Sequence, residues 1–407
     1  MDACNKEIEM TRYFGTVSRG VRAPIIREGD DIVEIVVDTV LEASREGQVP
    51  FRDNDVVCIT EAVVARAQGN YATVDQIAAH VKSLFPSGEI GLVFPILSRN
   101  RFSILLRAIC RAMHKVHLLL SYPSDEVGNE LISNEKLEAS GINPWHDVLD
   151  LSKYRELFGQ NPHPFTGVDY VDLYRNIAES ENCTIDVYFG NNSQVILNYV
   201  QDVLTCDIHS RKTNHKLLEA SHGGKILNLE NILTESINGS GYNPDFGLLG
   251  SNMSSDESVK LFPRDCQTVV DSIQEKLQTA TGKQIEVMIY GDGAFRDPVG
   301  KIWELADPVV SPAYTSGLEG VPHELKLKFL ADNDFASLSG DDLKQAIQEA
   351  IAQKEDVTDA AEEVLRLGTT PRRLSDLLGS LADLTSGSGD KGTPIIWVQG
   401  YFDDLSD

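Results

Sequence analysis

Apolar positions recur at helical spacing near the front of the chain, at Ile32, Ile35, Val36 and Val40, so 29–43 is predicted to form an amphipathic helix. Asp30 or Asp31 stands where its carboxylate would cap the first turn. The run "DVVCITEAVVA" that follows is apolar and β-branched, the pattern of a strand over 56–60 buried on both faces. "TVDQIAAHVKSLF" returns to a helical period and is closed by Pro86 and Gly88. Residues 12–96 therefore read as one alternating strand–helix stretch.

From 97 to 240 the texture becomes a repeated strand–loop–helix unit. "KVHLLLSYPSDEVGN" is a strand running into a polar loop. "CTIDVYFGNNSQVILNYVQDVL" predicts a strand, a Gly-Asn-Asn loop and a helix, "LTCDIHSRKTNHKLLEA" repeats the scheme, and "GGKILNLENIL" adds a further strand and helix. That rhythm predicts a parallel α/β sheet. Ligands of such sheets sit at the carboxyl ends of the strands. There the loops carry Asp125, Glu126, Asn129, Asn191, Asn192, His209, Arg211 and Lys212. Solvated loop residues would look the same. Residues 241–407 open on the Gly/Asn/Ser-rich "GSGYNPDFGLLGSNMSSDES". A helix over 266–280, the strand "QIEVMIY", the alternating "HELKLKFLA", an all-helical segment over 340–384 capped at Thr370–Pro371 and a last strand in "TPIIWVQGY" follow.

The 407 residues exceed what one small core organises and point to two or three domains. A formal charge of −26 argues against nucleic acid and anionic membrane as partners, and any anionic substrate must be met by local cations or helix N-termini. No apolar run reaches the length of a membrane span, and "MDACNKEIEMTRYFG" lacks a signal-peptide core. Six scattered cysteines form no Cys-x-x-Cys pair, and Cys58 and Cys110 lie in apolar segments as buried thiols. A cytoplasmic, reduced protein is expected.

Several chemistries are absent: there is no Walker phosphate loop, no GxGxxG after a strand, no HExxH and no nucleophile elbow. Cys206, His209, His215 and His222 fit no standard zinc spacing. In "GDGAFRDP", Asp292 follows a buried strand and is either an oxygen ligand for a hard cation or part of an Asp-Gly turn. Five blocks taken in order are more telling: Ala23-Pro24-Ile25-Ile26 before "REGDD"; "DNDVVCITEAVVARAQG"; "GLLGSN"; "TGKQIEVMIYGDGAF"; and "GSGDKGTPIIWVQG". Together they resemble the γ-glutamyl ligases that extend the deazaflavin coenzyme F-420.

The resemblance implies an α+β, two-lobed γ-glutamyl-ligase-like fold. Its outer parts, 12–96 and 241–407, form the core, and 97–240 is an inserted α/β region. It implies a GTP-dependent ligase that uses Mg²⁺ or Mn²⁺, joins an amino acid (glutamate) to a carboxylate-bearing small-molecule acceptor, and works as a homodimer. Carried over by position, Ala23, Pro24, Ile25, Ile26, Thr60, Glu61, Arg66, Asn252 and the closing loop Gly387, Ser388, Gly389, Asp390, Lys391 and Gly392 stand at nucleotide-contacting positions. Asp292 stands for a metal-binding Asp. Asp125, Asn129, Asn191, Asn192, His209 and Arg211 would face the acceptor. Two departures stand out. The family's Asp in "G-V-D-x-S-N" falls on Leu249, and its Glu before the closing loop falls in "TSGSG". A nucleotide- or ligand-binding protein that has lost catalysis, and an independent binding module in 97–240, are the rival readings.

Overall fold

The computed structural model describes residues 14–403 apart from 164–165, 222–223, 292–294, 297–302, 305–310, 321–334, 341, 344, 347–348, 350–372 and 388–391. The strand expected in "HELKLKFLA", the Thr370–Pro371 cap and most of 340–384 lie outside the described residues.

Strand β1 (Val17–Val21) leads through an extended segment to helix α1 (Ile32–Gly47), which Asp31 caps by accepting from the N–H groups of Val33 and Glu34. Strand β2 (Asp55–Thr60) passes directly into the short helix α2 (Glu61–Ala67), then β3 (Tyr71–Thr73) and α3 (Val74–Leu84), which begins with a Thr73–Gln76 capping box. The middle of the chain contains β4 (Glu89–Val93), α4 (Phe102–Ala112), β5 (Lys115–Leu120), α5 (Asn134–Ser140), β6 (Leu149–Asp150), α6 (Leu151–Phe158), α7 (Tyr170–Ser180), β7 (Thr184–Phe189), β8 (Val203–Thr205), α8 (Arg211–Ser221) and β9 (Ile226–Asn228). After a long loop come β10 (Asn252–Ser255), β11 (Ser258–Lys260), α9 (Cys266–Thr281) and β12 (Ile285–Tyr290). A two-residue-arm hairpin of β13 (Phe295–Arg296) and β14 (Trp303–Glu304), then β15 (Ala313–Tyr314), α10 (Leu374–Ser386) and β16 (Ile395–Gln399) complete the described elements.

Two main sheets organise these elements in an α+β fold. A mixed sheet has the order β1-β16-β2-β12-β15, with β2 and β12 parallel and β16 antiparallel to β2. The period-2 pleat sends Val57 and Ile59 to the face covered by α1 and α9, and Val56 and Cys58 to the face covered by α10. That is why this strand is apolar at every position from Val56 to Ile59. Asp55 starts it as a buried carboxylate that accepts from the Arg52 N–H, the Trp397 indole at 3.0 Å and the Gln399 amide at 2.8 Å. Burial pushes the Asp55 carboxyl above its ordinary pKa despite those bonds. Trp397 in turn stacks on Phe51 with ring centroids 4.2 Å apart.

The second sheet has the order β6-β7-β5-β4-β8-β9 and is parallel except for β6. Its first strand, β4, lies upstream of residue 97, inside the first of the three expected stretches. Two expected helices are only single 3-10 turns. Ser193–Asn198 is held flat because Ile196 and Val200 press against Gly91, where an added Cβ would lie 2.7 Å from Ile196. Leu229–Asn231 turns sharply as the Asn231 side chain accepts from the Asn228 N–H. A three-stranded sheet, β10-β11-β3, joins the layers, and Arg111 of α4 ties it down. Arg111 grips Glu181 through two bonds of 2.8 and 2.9 Å and also reaches Asp75 and Glu257.

Among the described residues no helix is long and apolar enough to cross a membrane. Cys58, Cys110, Cys183, Cys206 and Cys266 are free and buried, as the apolar setting of the first two implied. Replacing Trp397 by Phe keeps an aromatic ring beside Phe51 but removes one donor from buried Asp55 and some buried volume. The expected loss is about 1–2 kcal/mol of folding stability, measurable as a lowered urea midpoint with an unchanged slope.

Candidate functional site

The carboxyl end of β2 and the register of its neighbours decide which distant segments meet. Thr60 lies opposite Tyr290 in the parallel β2–β12 pair, and its N–H donates to the Pro394 carbonyl at 3.0 Å where the chain enters β16. Val21 lies opposite Ile395, so the segment beginning at Arg22 leaves β1 at the same sheet edge. Ala23 through Ile26, Thr60 and Glu61, Gly291 and the approach to β16 from Gly392 are therefore gathered from four parts of the chain. Helix α9 runs back along β12, which puts its positive N-terminal end toward this edge as well. Within the first segment Ile26 is a buried anchor and Ile25 is exposed, so backbone and side chain divide the work.

Glu61 continues from this edge and is tied to a residue the sequence pattern did not single out. Its Oε1 receives the Lys260 ammonium at 2.7 Å, and both side chains are largely buried. Asn252 faces Lys260 across the β10–β11 ladder, so the expected Asn252 does join Glu61, through Lys260. Arg66 is exposed at the end of α2. Burial raises the pKa of the Tyr71 hydroxyl; the nearby Arg66 opposes that rise, and Glu28 and Glu61 add to it. These groups form one electrostatic neighbourhood. Gly69 makes this approach possible: its φ is +60°, and an added Cβ would lie 2.5 Å from the Glu28 carboxyl carbon.

The rest of the early polar run has a different task. Gln68 exchanges two hydrogen bonds with the Arg264 backbone, at 2.6 and 2.8 Å. Asn70, fully buried, donates to the Phe262 carbonyl and accepts from the Tyr242 N–H. Asn243 adds bonds to the carbonyls of Phe262 and Pro263. This network pins the 240–265 loop to the end of α2 and so fixes where β10 and β11 present Asn252 and Lys260.

The described residues do not make up a metal site. Leu249, at the position where the resemblance places an acid, is buried in the apolar cluster around the parallel sheet, beside Leu248. Glu61 is engaged by an ammonium, and Glu257 pairs with Arg111 and Arg107. Among the described residues no group of three or more His, Cys, Asp or Glu side chains could hold a metal ion. Asp292 and the loop residues Ser388, Gly389, Asp390 and Lys391 lie outside the described residues. Gly387 closes α10 in the left-handed conformation, and Gly392 is exposed.

The residues expected to face an acceptor lie well away from this edge in the chain's second sheet, and most are committed to the protein itself. Asp125 accepts four bonds, from the N–H groups of Leu97, Val127 and Asn129 and from the Asn129 side chain. Burial nevertheless raises its pKa. Asn191 brackets the Tyr122 backbone with one accepted and one donated bond. Asn192 caps the turn that follows β7. The Arg211 guanidinium turns to Glu230 at 2.7 Å and to the Ile208 carbonyl, and the His209 N–H is taken by Glu126.

A family model described as F420-0:Gamma-glutamyl ligase matches residues 20–400 of the 407. No curated protein matches the chain. Leu249 gives a direct check of the core assignment. Leu249→Asp restores an acid at the family's position but buries a carboxylate among apolar side chains, and a stability loss of about 3 kcal/mol or more is expected by chemical denaturation.

Proposed function

The chain belongs to the F420-0:gamma-glutamyl ligase family, and from that premise we propose that it is a nucleotide-dependent carboxylate–amine ligase of the γ-glutamyl type. The observation that carries this reading is the gathering of Ala23–Ile26, Thr60–Glu61, Lys260 and the approach to β16 at one edge of the mixed sheet. GTP is the assigned nucleotide. With a formal charge of −26 over the chain, its phosphates need local positive charge, which Arg66 and the N-terminal end of α9 supply, the Lys260 ammonium being neutralised by Glu61.

A carboxylate is a poor electrophile because resonance spreads its negative charge over both oxygens. In the proposed reaction an oxygen of the acceptor carboxylate attacks the γ-phosphorus of GTP. The bond from that phosphorus to the β–γ bridging oxygen breaks, GDP leaves, and an acyl phosphate remains. The glutamate amine, having lost a proton to solvent, attacks the acyl carbon; the bond from that carbon to the phosphate-bearing oxygen breaks, phosphate leaves with the oxygen, and a second amine proton passes to solvent to give the amide. Backbone N–H groups of Ala23, Ile25 and Ile26 and the Arg66 guanidinium hold the phosphates while charge shifts toward the bridging oxygen. A divalent cation would supply further charge neutralisation, but the described residues do not provide its ligands, so the roles assigned here belong to the chain's own groups.

Burial of Leu249 favours a second reading, a protein that binds the nucleotide without turning it over. Calorimetric titration with GTP tests the shared premise. Binding is expected, Arg66→Ala is expected to weaken it about tenfold, and the paired variant Glu61→Gln with Lys260→Met, which leaves no lone buried charge, to weaken it further. Wild-type protein that takes up no GTP would overturn both readings. GTP binding with no glutamate-dependent GDP release, using F420-0 as acceptor, would select the second.

A further inference from the structure

We propose that the cavity at the carboxyl edge of the parallel sheet is a second small-molecule site, taking an uncharged or amine-bearing molecule with a flat ring. It stands apart from the nucleotide edge and does not depend on that reading. The cavity has a volume of about 480 Å³, within the range of small-molecule pockets. It opens where the strand order reverses: β5 and β7 extend the sheet to one side of β4, and β8 and β9 extend it to the other. Loops diverge at such a point and leave a crevice above the strand ends. Phe94, directly after β4, lines that crevice with a left-handed backbone (φ 52°).

One wall carries an unmet polar group. Ser193 lines the cavity, is only 2% exposed, and its Oγ has no hydrogen-bond partner. A buried hydroxyl left this way is costly, and a ligand polar atom in the cavity would satisfy it. Trp145 and Leu217, 69% and 44% exposed, also line the cavity and give it an apolar part suited to stacking a flat ring.

Charge decides the ligand class. Among the described residues, the ionisable side chains lining the cavity are Asp125 and Glu126, and no Lys, Arg or His lines it. Three backbone donors of the turn leading into α8, at Ile208, His209 and Ser210, are already taken by a carboxylate of the protein itself. Glu126 accepts from the N–H groups of Ile208, His209 and Ser210 and from the Ser210 hydroxyl. Arg211, the nearest guanidinium in sequence, is paired with Glu230. An anion entering this cavity meets two carboxylates and no cationic side chain among the described residues, whereas a neutral or cationic group meets no such penalty. The polar, partly anionic acceptor expected from the loop sequences does not match this lining.

Two matched probe pairs test the sign of the charge: adenosine against AMP, and tryptamine against indole-3-acetate. Each is titrated into full-length protein labelled with ¹⁵N-tryptophan, and the Trp145 indole resonance, assigned with Trp145→Phe, is followed. Adenosine or tryptamine is expected to shift that resonance saturably, with its anionic counterpart at least about tenfold weaker. Ser193→Ala, a change small enough to preserve folding, is expected to weaken the better probe several-fold while GTP affinity measured on the same sample stays constant. No saturable shift from any of the four probes would overturn the proposal. Anionic members that bind as tightly as their partners would overturn it too. Failure of GTP to bind bears only on the other edge.

Discussion

Strand β2 can be satisfied only from three distant parts of the chain at once. Its backbone pairs with β12 on one side and β16 on the other, and its two faces are closed by α1 and α9 and by α10. A strand buried on both faces cannot leave its N–H and C=O groups to water, so both neighbours must be in place before its apolar side chains are worth burying. Residues near 20, 57, 287 and 397 are therefore brought into a single register. The edge proposed to hold the nucleotide is a by-product of that register, since the ends of these strands have nowhere else to go. Asp55 secures the opposite end by drawing the Trp397 indole and the Gln399 amide onto one carboxylate.

The two sheets end in chemically different edges. At the mixed sheet, Arg66 is exposed, so positive charge is available in an otherwise acidic protein, while Lys260 is neutralised by Glu61. At the parallel sheet the cavity lining holds carboxylates whose lone pairs are spent on backbone donors. An ion pair as buried as Glu61–Lys260 contributes less to stability than its distance suggests, because both groups lose hydration. Its value lies in holding an ammonium at a defined place. The Gln68–Asn70–Asn243 network serves the same end by fixing the loop that carries Lys260.

Leu249 shows how a position can keep its place in a loop and change its chemistry. Gly250 next to it has φ +74° and lies so close to Phe262 that an added Cβ would be 1.9 Å from its ring. The tight turn is retained, yet residue 249 points into the core with Leu248. Burial and carboxylate ligation are incompatible at one side chain unless a cation is present to offset desolvation.

Helix α1, strand β2, helix α3 and the terminal strand were legible from periodicity, because each has one apolar stripe or two apolar faces that local sequence displays, whereas the choice of Asp31 over Asp30 as the cap of α1 was made by the backbone. Helix α4 displays the same kind of stripe, with Phe102, Leu105, Leu106 and Ile109 at helical spacing. The resemblance that placed Thr60, Glu61 and Asn252 together was also a property of sequence. Lys260 was not, since a lone lysine in "ESVKLF" has no local signature and acquires its partner only when β11 pairs with β10 and β3. The same holds for Asn191, Asp125 and Arg211, whose polar loops suggested ligand contacts. Composition shows which groups can form hydrogen bonds, but only the packed backbone decides whether those bonds are spent within the protein or left for a ligand.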